Sequence, residues 1–138
     1  MPLRETNPSV LLVEDDQDGR RMYAEWLTGA GFRVEEAHNG LQALERAFDL
    51  QPDVVVTDLN IRGIDGFELT RRLKCDARTC EIPVLAVTGY AAFTSDPERA
   101  RRAGCDLVLS KPCLPEDLEA AVRSLMHART QRLSTGTE

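Results

Sequence analysis

The stretch Val54-Val55-Val56-Thr57-Asp58-Leu59-Asn60 decides how the chain folds. A near-continuous run of valines suits a strand buried on both faces of a parallel sheet, because such a strand has no wet face to alternate toward. Outward from it, short apolar runs recur at Val10–Val13, Phe32–Val34, Val84–Val87 and Leu107–Leu109. The segments between them carry helical periodicity instead. Leu41, Leu44 and Ala47 or Phe48 share one face, as do Leu118, Ala121, Val122 and Leu125. In the first helix Met22 and Trp26 share a face flanked by Tyr23 and Leu27, and that face is expected to be core.

Local chemistry marks the boundaries. Gly31 follows the first helix, and Gln51-Pro52-Asp53 stops the second. Ser95 and Glu98 have the spacing of a capping box with Pro97 early in the helix, so the fourth helix is expected to start near Asp96, leaving Gly89–Thr94 as a loop. Strict strand–helix alternation implies a doubly wound α/β sheet of five parallel strands and five helices with right-handed crossovers. One domain is expected over residues 9–127, with tails at 1–8 and 128–138.

Composition narrows the function. The chain has 138 residues, 42% of them apolar, and a formal net charge of −6. That balance supplies no counterion-release term for a nucleic-acid backbone, so direct nucleic-acid binding is not expected. Neither a secretory signal nor an apolar run of the roughly 20 residues a membrane helix needs is present, so a cytoplasmic protein off the membrane is expected. Cys75, Cys80, Cys105 and Cys113 match no metal-pair spacing, and His38 and His127 do not complete a zinc site.

The chemistry lies where the strands end. In an open parallel sheet, ligands bind beyond the carboxyl ends of the strands. Glu14 and Asp15 follow the first strand, Asp58 the third, Thr88 the fourth and Lys111 the fifth. Three crowded carboxylates repel one another unless a cation neutralises them. A single lysine is not enough for three, and hard oxygen donors around an open pocket suit Mg²⁺. Asp16 fits a helix cap better than a metal ligand, and Asp65-Gly66 fits a turn opening the third helix.

The ordered set Val10-Leu11-Leu12-Val13-Glu14-Asp15-Asp16, Val54 to Asn60, Asp65-Gly66, Val84 to Gly89 and Leu109-Ser110-Lys111-Pro112 resembles a two-component response regulator receiver domain over about residues 9–126. The resemblance implies a flavodoxin-like strand order 2-1-3-4-5. It implies that Asp58 accepts a phosphoryl group from a phosphohistidine of a sensor histidine kinase or histidine phosphotransfer protein. Glu14, Asp15, Asp58 and the backbone carbonyl of Asn60 would hold Mg²⁺, and Thr88 and Lys111 would engage the phosphoryl oxygens. Pro112 would follow a cis peptide that aims Lys111 inward. The chain would be a phosphoacceptor and not a turnover enzyme, signalling to a protein target, with phosphorylation-dependent dimerisation as a further option. The output surface would be the face of the fourth helix, fifth strand and fifth helix, where Arg99, Arg101 and Arg102 either meet an acidic partner or form a solvated face.

Three positions depart from the commonest pattern. Arg62 stands where proline is usual, Val108 stands where many receivers carry an aromatic rotamer switch, and Tyr90 either shields the acyl phosphate or lies on the surface near Phe93. Met1 and the short tails favour a complete single-domain regulator. The alternatives are the receiver part of a larger DNA-binding regulator or hybrid kinase, and an aspartyl-phosphate hydrolase of the haloacid dehalogenase type. Asn60 argues against the last, because those enzymes place a second acid two residues after the nucleophile.

Overall fold

The computed structural model describes residues 7–89 and 97–135. Its elements run β1 (Ser9–Val13), α1 (Gln17–Gly29), β2 (Arg33–Ala37), α2 (Gly40–Leu50), β3 (Val54–Thr57), α3 (Gly66–Cys75), β4 (Val84–Thr88), α4 (Pro97–Ala103), β5 (Leu107–Ser110) and α5 (Pro115–Thr135). The five strands form one parallel sheet in the order β2-β1-β3-β4-β5, as expected. Central β3 is buried at every position, matching its valine run. Among the described residues no helix is long and apolar enough to cross a membrane.

Two apolar layers clamp the sheet. Val10, Leu12, Val54, Val56 and Leu85 face α1 and α5 through Leu27, Leu118 and Val122, with Phe32 from the turn between α1 and β2 packed among them. Leu11, Val13, Val55 and Val84 face α2 and α3 through Ala43, Ala47, Leu69 and Leu73. Alternate residues of a strand point to opposite faces, which is why neighbours in sequence divide between the two layers.

Several sequence expectations change in detail. Met22 and Trp26 do not lie in the core: they are 44% and 42% exposed, while Tyr23, Ala24 and Leu27 form the buried stripe of α1. The helix is turned about 100° per residue, so the residues expected to flank the core face are the ones that fill it. Trp26 instead donates its indole N–H to Glu119 of α5 at 2.9 Å. Leu41 is likewise exposed; Ala47 of the expected face is buried, and Ala43 is buried beside it. β2 begins at Arg33 and runs to Ala37, later than the apolar run Phe32–Val34, and it places Glu35 and Glu36 in solvent at the sheet edge.

The ends also differ from expectation. Helix α5 continues to Thr135, so most of the segment expected to be a polar tail from 128 is helical. At the other end Pro8 accepts the Arg33 N–H and Asn7 donates to the Gly31 carbonyl, tying both residues to the domain. The expected start of the fourth helix near Asp96, the loop before it, and Tyr90 and Phe93 lie outside the described residues.

Candidate phosphoacceptor site

Strand register assembles the site. Val13 pairs with Thr57, so the next residue on each strand, Glu14 and Asp58, emerges at the same level of the sheet. Thr88 pairs with Ser110, which puts Lys111 one step beyond it. The Asp58 N–H donates to Val13 and the Lys111 N–H to Thr88, so the strand ladder carries on into the site. Residues far apart in sequence converge here because parallel strands present equivalent ends on one edge.

The Asp58 carboxylate is nine-tenths buried and ringed by donors. Its Oδ1 accepts from the Asn60 N–H and the Thr88 hydroxyl, both at 3.0 Å. Its Oδ2 accepts from Lys111 Nζ at 2.7 Å, and the same ammonium donates to Glu14 Oε1 at 2.6 Å. Burial works against the Lys111 charge, but its hydrogen bonds to Asp58 and Glu14 outweigh that and raise its pKa above the ordinary lysine value. Burial raises the Glu14 pKa, with the nearby Asp58 charge adding to it and Lys111 opposing.

Lys111 therefore neutralises two of the three acids directly, a role expected of a metal from sequence. Among the described residues no three acidic, histidine or cysteine side chains are grouped so as to hold an ion by themselves. Asp15 stands apart from that pair, and its nearest cation is Arg62 at 3.9 Å, beyond hydrogen-bond range. The donor chemistry nonetheless fits Mg²⁺, which takes one or two protein carboxylates and fills its remaining positions with water and phosphate oxygens. Arg62 is 86% exposed, so its contact with Asp15 is weak and readily displaced.

The backbone around Asp58 is held tightly. Asp65 caps α3 by accepting the Glu68 N–H at 2.8 Å. Gly66 adopts no unusual φ; its role is close approach, since a Cβ there would stand 2.4 Å from the Asp58 carbonyl and 2.6 Å from Leu59 Cα. Asp16 caps α1 through the Gly19 N–H at 2.9 Å, in line with the capping role expected of it. The Lys111–Pro112 peptide is cis. Val108 packs partly buried with Leu59, Phe67, Ala86 and Ala100. Arg99 turns back toward α3, lying 3.9 Å over the Phe67 ring and 3.7 Å from Asp65.

Two contributors escaped the sequence reading. Arg20 donates to the Glu14 carbonyl at 2.7 Å and pairs with Glu36 at 3.2 Å, and the Thr57 hydroxyl donates to the Asp58 carbonyl at 2.8 Å. Thr57 directly precedes Asp58, so its place beside the site is visible in the sequence. Arg20 had no signal, because one arginine on an amphipathic helix looks like any other.

Residues 10–123 match the response regulator receiver domain family. The polar-differentiation response regulator DivK of Brucella anthropi is 36% identical over 104 residues, covering 75% of this chain and 84% of that protein. The chemotaxis response regulator CheY4 of Vibrio cholerae superposes with a TM-score of 0.80 at 28% identity, over 87% of this chain and 99% of that one. The receiver domain of the sensor histidine kinase PA1611 from Pseudomonas aeruginosa, with a magnesium ion coordinated in its active-site cleft, superposes at 0.81 and 25% identity over 88% and 99% of the two chains. Sequence match, strand order and the convergence of Glu14, Asp58, Thr88 and Lys111 on one sheet edge agree: the chain belongs to the response regulator receiver domain family.

Proposed function

We propose that Asp58 is the phosphoacceptor of a two-component or phosphorelay pathway, receiving its phosphoryl group from a histidine kinase or histidine phosphotransfer protein. The observation that carries this reading is the nearly buried Asp58 carboxylate, with the Asn60 N–H, the Thr88 hydroxyl and the Lys111 ammonium around it. A carboxylate oxygen of Asp58 attacks phosphorus, an O–P bond forms, and the P–N bond to the donor imidazole breaks with its electron pair returning to nitrogen. Lys111 and Thr88 then exchange the carboxylate oxygens for phosphoryl oxygens. Both donors are already aimed at the site, which limits the reorganisation needed as charge moves.

Glu14, Asp15, Asp58 and the Asn60 carbonyl would hold Mg²⁺. When bound, the ion supplies neutralisation of the negative charge on the transferring group. The PA1611 receiver domain, described with magnesium in its active-site cleft, supports Mg²⁺ as the ion. The buried Glu14 gains from any added positive charge nearby, since burial already raises its pKa.

Signalling follows from the same exchange of partners. A phosphoryl group brings further charge and acceptor oxygens, favouring conformers in which Thr88 and Lys111 close on it. With Val108 at the position of the usual aromatic switch, movement of Thr88 and of the α4 contacts made by Arg99 to Asp65 and Phe67 takes a larger share of the output. A protein target would read the face of α4, β5 and α5. The test is titration with beryllofluoride and Mg²⁺ followed by amide NMR. Saturable shifts centred on Asp58, Thr88 and Lys111, absent in Asp58→Ala, are expected. No saturation, or equal shifts in the variant, would overturn the assignment.

A further inference from the structure

A second polar cleft lies beside the phosphoacceptor edge, between α1, β2 and the start of α2. It encloses about 320 Å³, within the lower range of small-molecule clefts. Arg20, Arg21 and Arg46 line it together with His38, Gln42 and Glu36. Three guanidinium groups against one carboxylate make this a positive concavity on a chain whose formal net charge is −6.

The guanidinium groups are unequally committed. Arg20 is pinned, with Nε on Glu36 at 3.2 Å and Nη1 on the Glu14 carbonyl at 2.7 Å. Arg46 reaches Glu35 only at 3.8 Å, and its buried Nε has no hydrogen-bond partner. A buried unmatched donor calls for an acceptor, and a water or an anion in the cleft would serve. Arg21 is exposed and, among the described residues, carries no ion pair. Guanidinium forks suit phosphate oxygens in paired geometry.

The cleft is wired to the phosphoacceptor site through the backbone of Glu14. The Glu14 N–H donates to the Ala37 carbonyl at 3.1 Å, and the Glu14 carbonyl accepts from Arg20. Ala37 and Arg20 both line the cleft. An occupant that engages Arg20 therefore bears on the hydrogen bond that Arg20 makes to the Glu14 carbonyl.

We infer that this cleft binds a small phosphate-bearing anion, held by Arg21 and Arg46 against the fixed Arg20, at a site separate from Asp58. The inference stands whether or not Asp58 accepts a phosphoryl group. Inorganic pyrophosphate is the probe, titrated into the full chain in Mg²⁺-free buffer at fixed ionic strength and followed by amide NMR, because exposed charges are screened as salt rises. Saturable binding at a Kd near or below about 1 mM is expected. The shifting amides should centre on Glu14, Gln17, Ala37, His38 and Gln42. Arg21→Gln and Arg46→Gln should each weaken binding by about fivefold or more, since each removes a charge-assisted contact. Asp58→Asn should leave the affinity within about twofold, because that residue does not line the cleft. Failure to saturate by about 10 mM, shifts centred on Thr88 and Lys111, or unchanged affinity in the Arg21→Gln/Arg46→Gln double variant would each overturn the inference. Unfolding of a variant is separated from loss of binding by its amide spectrum before titration.

Discussion

Replacing Lys111 with methionine removes the ammonium seated between two carboxylates that are only 6% and 9% exposed, Glu14 and Asp58. The loss starts from two charge-assisted hydrogen bonds, each worth about 1.5–3 kcal/mol where water is excluded. The Lys111 side chain is 32% exposed, so water replaces part of that. A further relief is protonation of Glu14, which costs about 1.4 kcal/mol for each unit by which its pKa lies below the solution pH. Burial already raises that pKa, so the relief is within reach. Together these set the expected loss at about 2–3 kcal/mol near pH 7.5, below the penalty of a fully buried unpaired charge. In urea this is a midpoint shift of roughly 1–1.5 M.

The pH dependence has a definite sign. Without Lys111 the Glu14 pKa, already raised by burial, climbs further above its unfolded value. Stability contributed by a group with a raised pKa is present below the unfolded value and lost as pH climbs through the folded one. The stability gap between variant and wild type is thus widest at neutral pH and above, and narrows as pH falls and Glu14 takes up a proton. Millimolar Mg²⁺ should also narrow it, by supplying the missing positive charge. Urea unfolding at several pH values, with and without Mg²⁺, measures all three effects. A variant as stable as wild type at neutral pH, or a gap that stays constant with pH, would refute the assignment of Lys111 as the charge that holds the two acids together.

Gly66→Ala drives a Cβ against the Asp58 carbonyl and Leu59 Cα, backbone on both sides, and should cost about 2–4 kcal/mol in urea unfolding. Gly29→Ala meets nothing within 4 Å and should gain about 0.5 kcal/mol by the same measurement. The Arg71 and Arg72 side chains hold the Glu68 carboxyl down at about 2, so its contribution is present above the ordinary glutamate pKa and fades as pH falls through about 2. A carboxyl NMR titration of the Arg71→Gln/Arg72→Gln variant should return Glu68 toward its ordinary value of 4.5.

Much of the fold was readable because burial on both faces leaves a strong compositional mark, as at Val54–Val56. β2 extends beyond its apolar run because it is an edge strand, and its second half, with Glu35 and Glu36, is solvated and lacks that mark. The Met22–Trp26 face is exposed against expectation because hydrophobicity names candidate core residues without fixing the phase of the helix; Tyr23 and Leu27 pack against β1 and α5 instead. At the site, Glu14, Asp58, Thr88 and Lys111 were legible because each directly follows or ends a strand. Their mutual bonding was not, since it depends on register between strands distant in sequence. The close approach of Gly66 to Asp58 was hidden for a similar reason: a glycine in a turn signals backbone freedom, and contact with another strand's carbonyl leaves no trace in local spacing.

The most direct test of phosphoryl acceptance is the intact mass of the protein after incubation with acetyl phosphate and Mg²⁺. A gain of one phosphoryl group is expected, labile to acid and base as an acyl phosphate should be, dependent on Mg²⁺, mapped to Asp58 and lost in Asp58→Asn. No mass gain, or an equal gain in Asp58→Asn, would contradict the assignment of Asp58 as the phosphoacceptor.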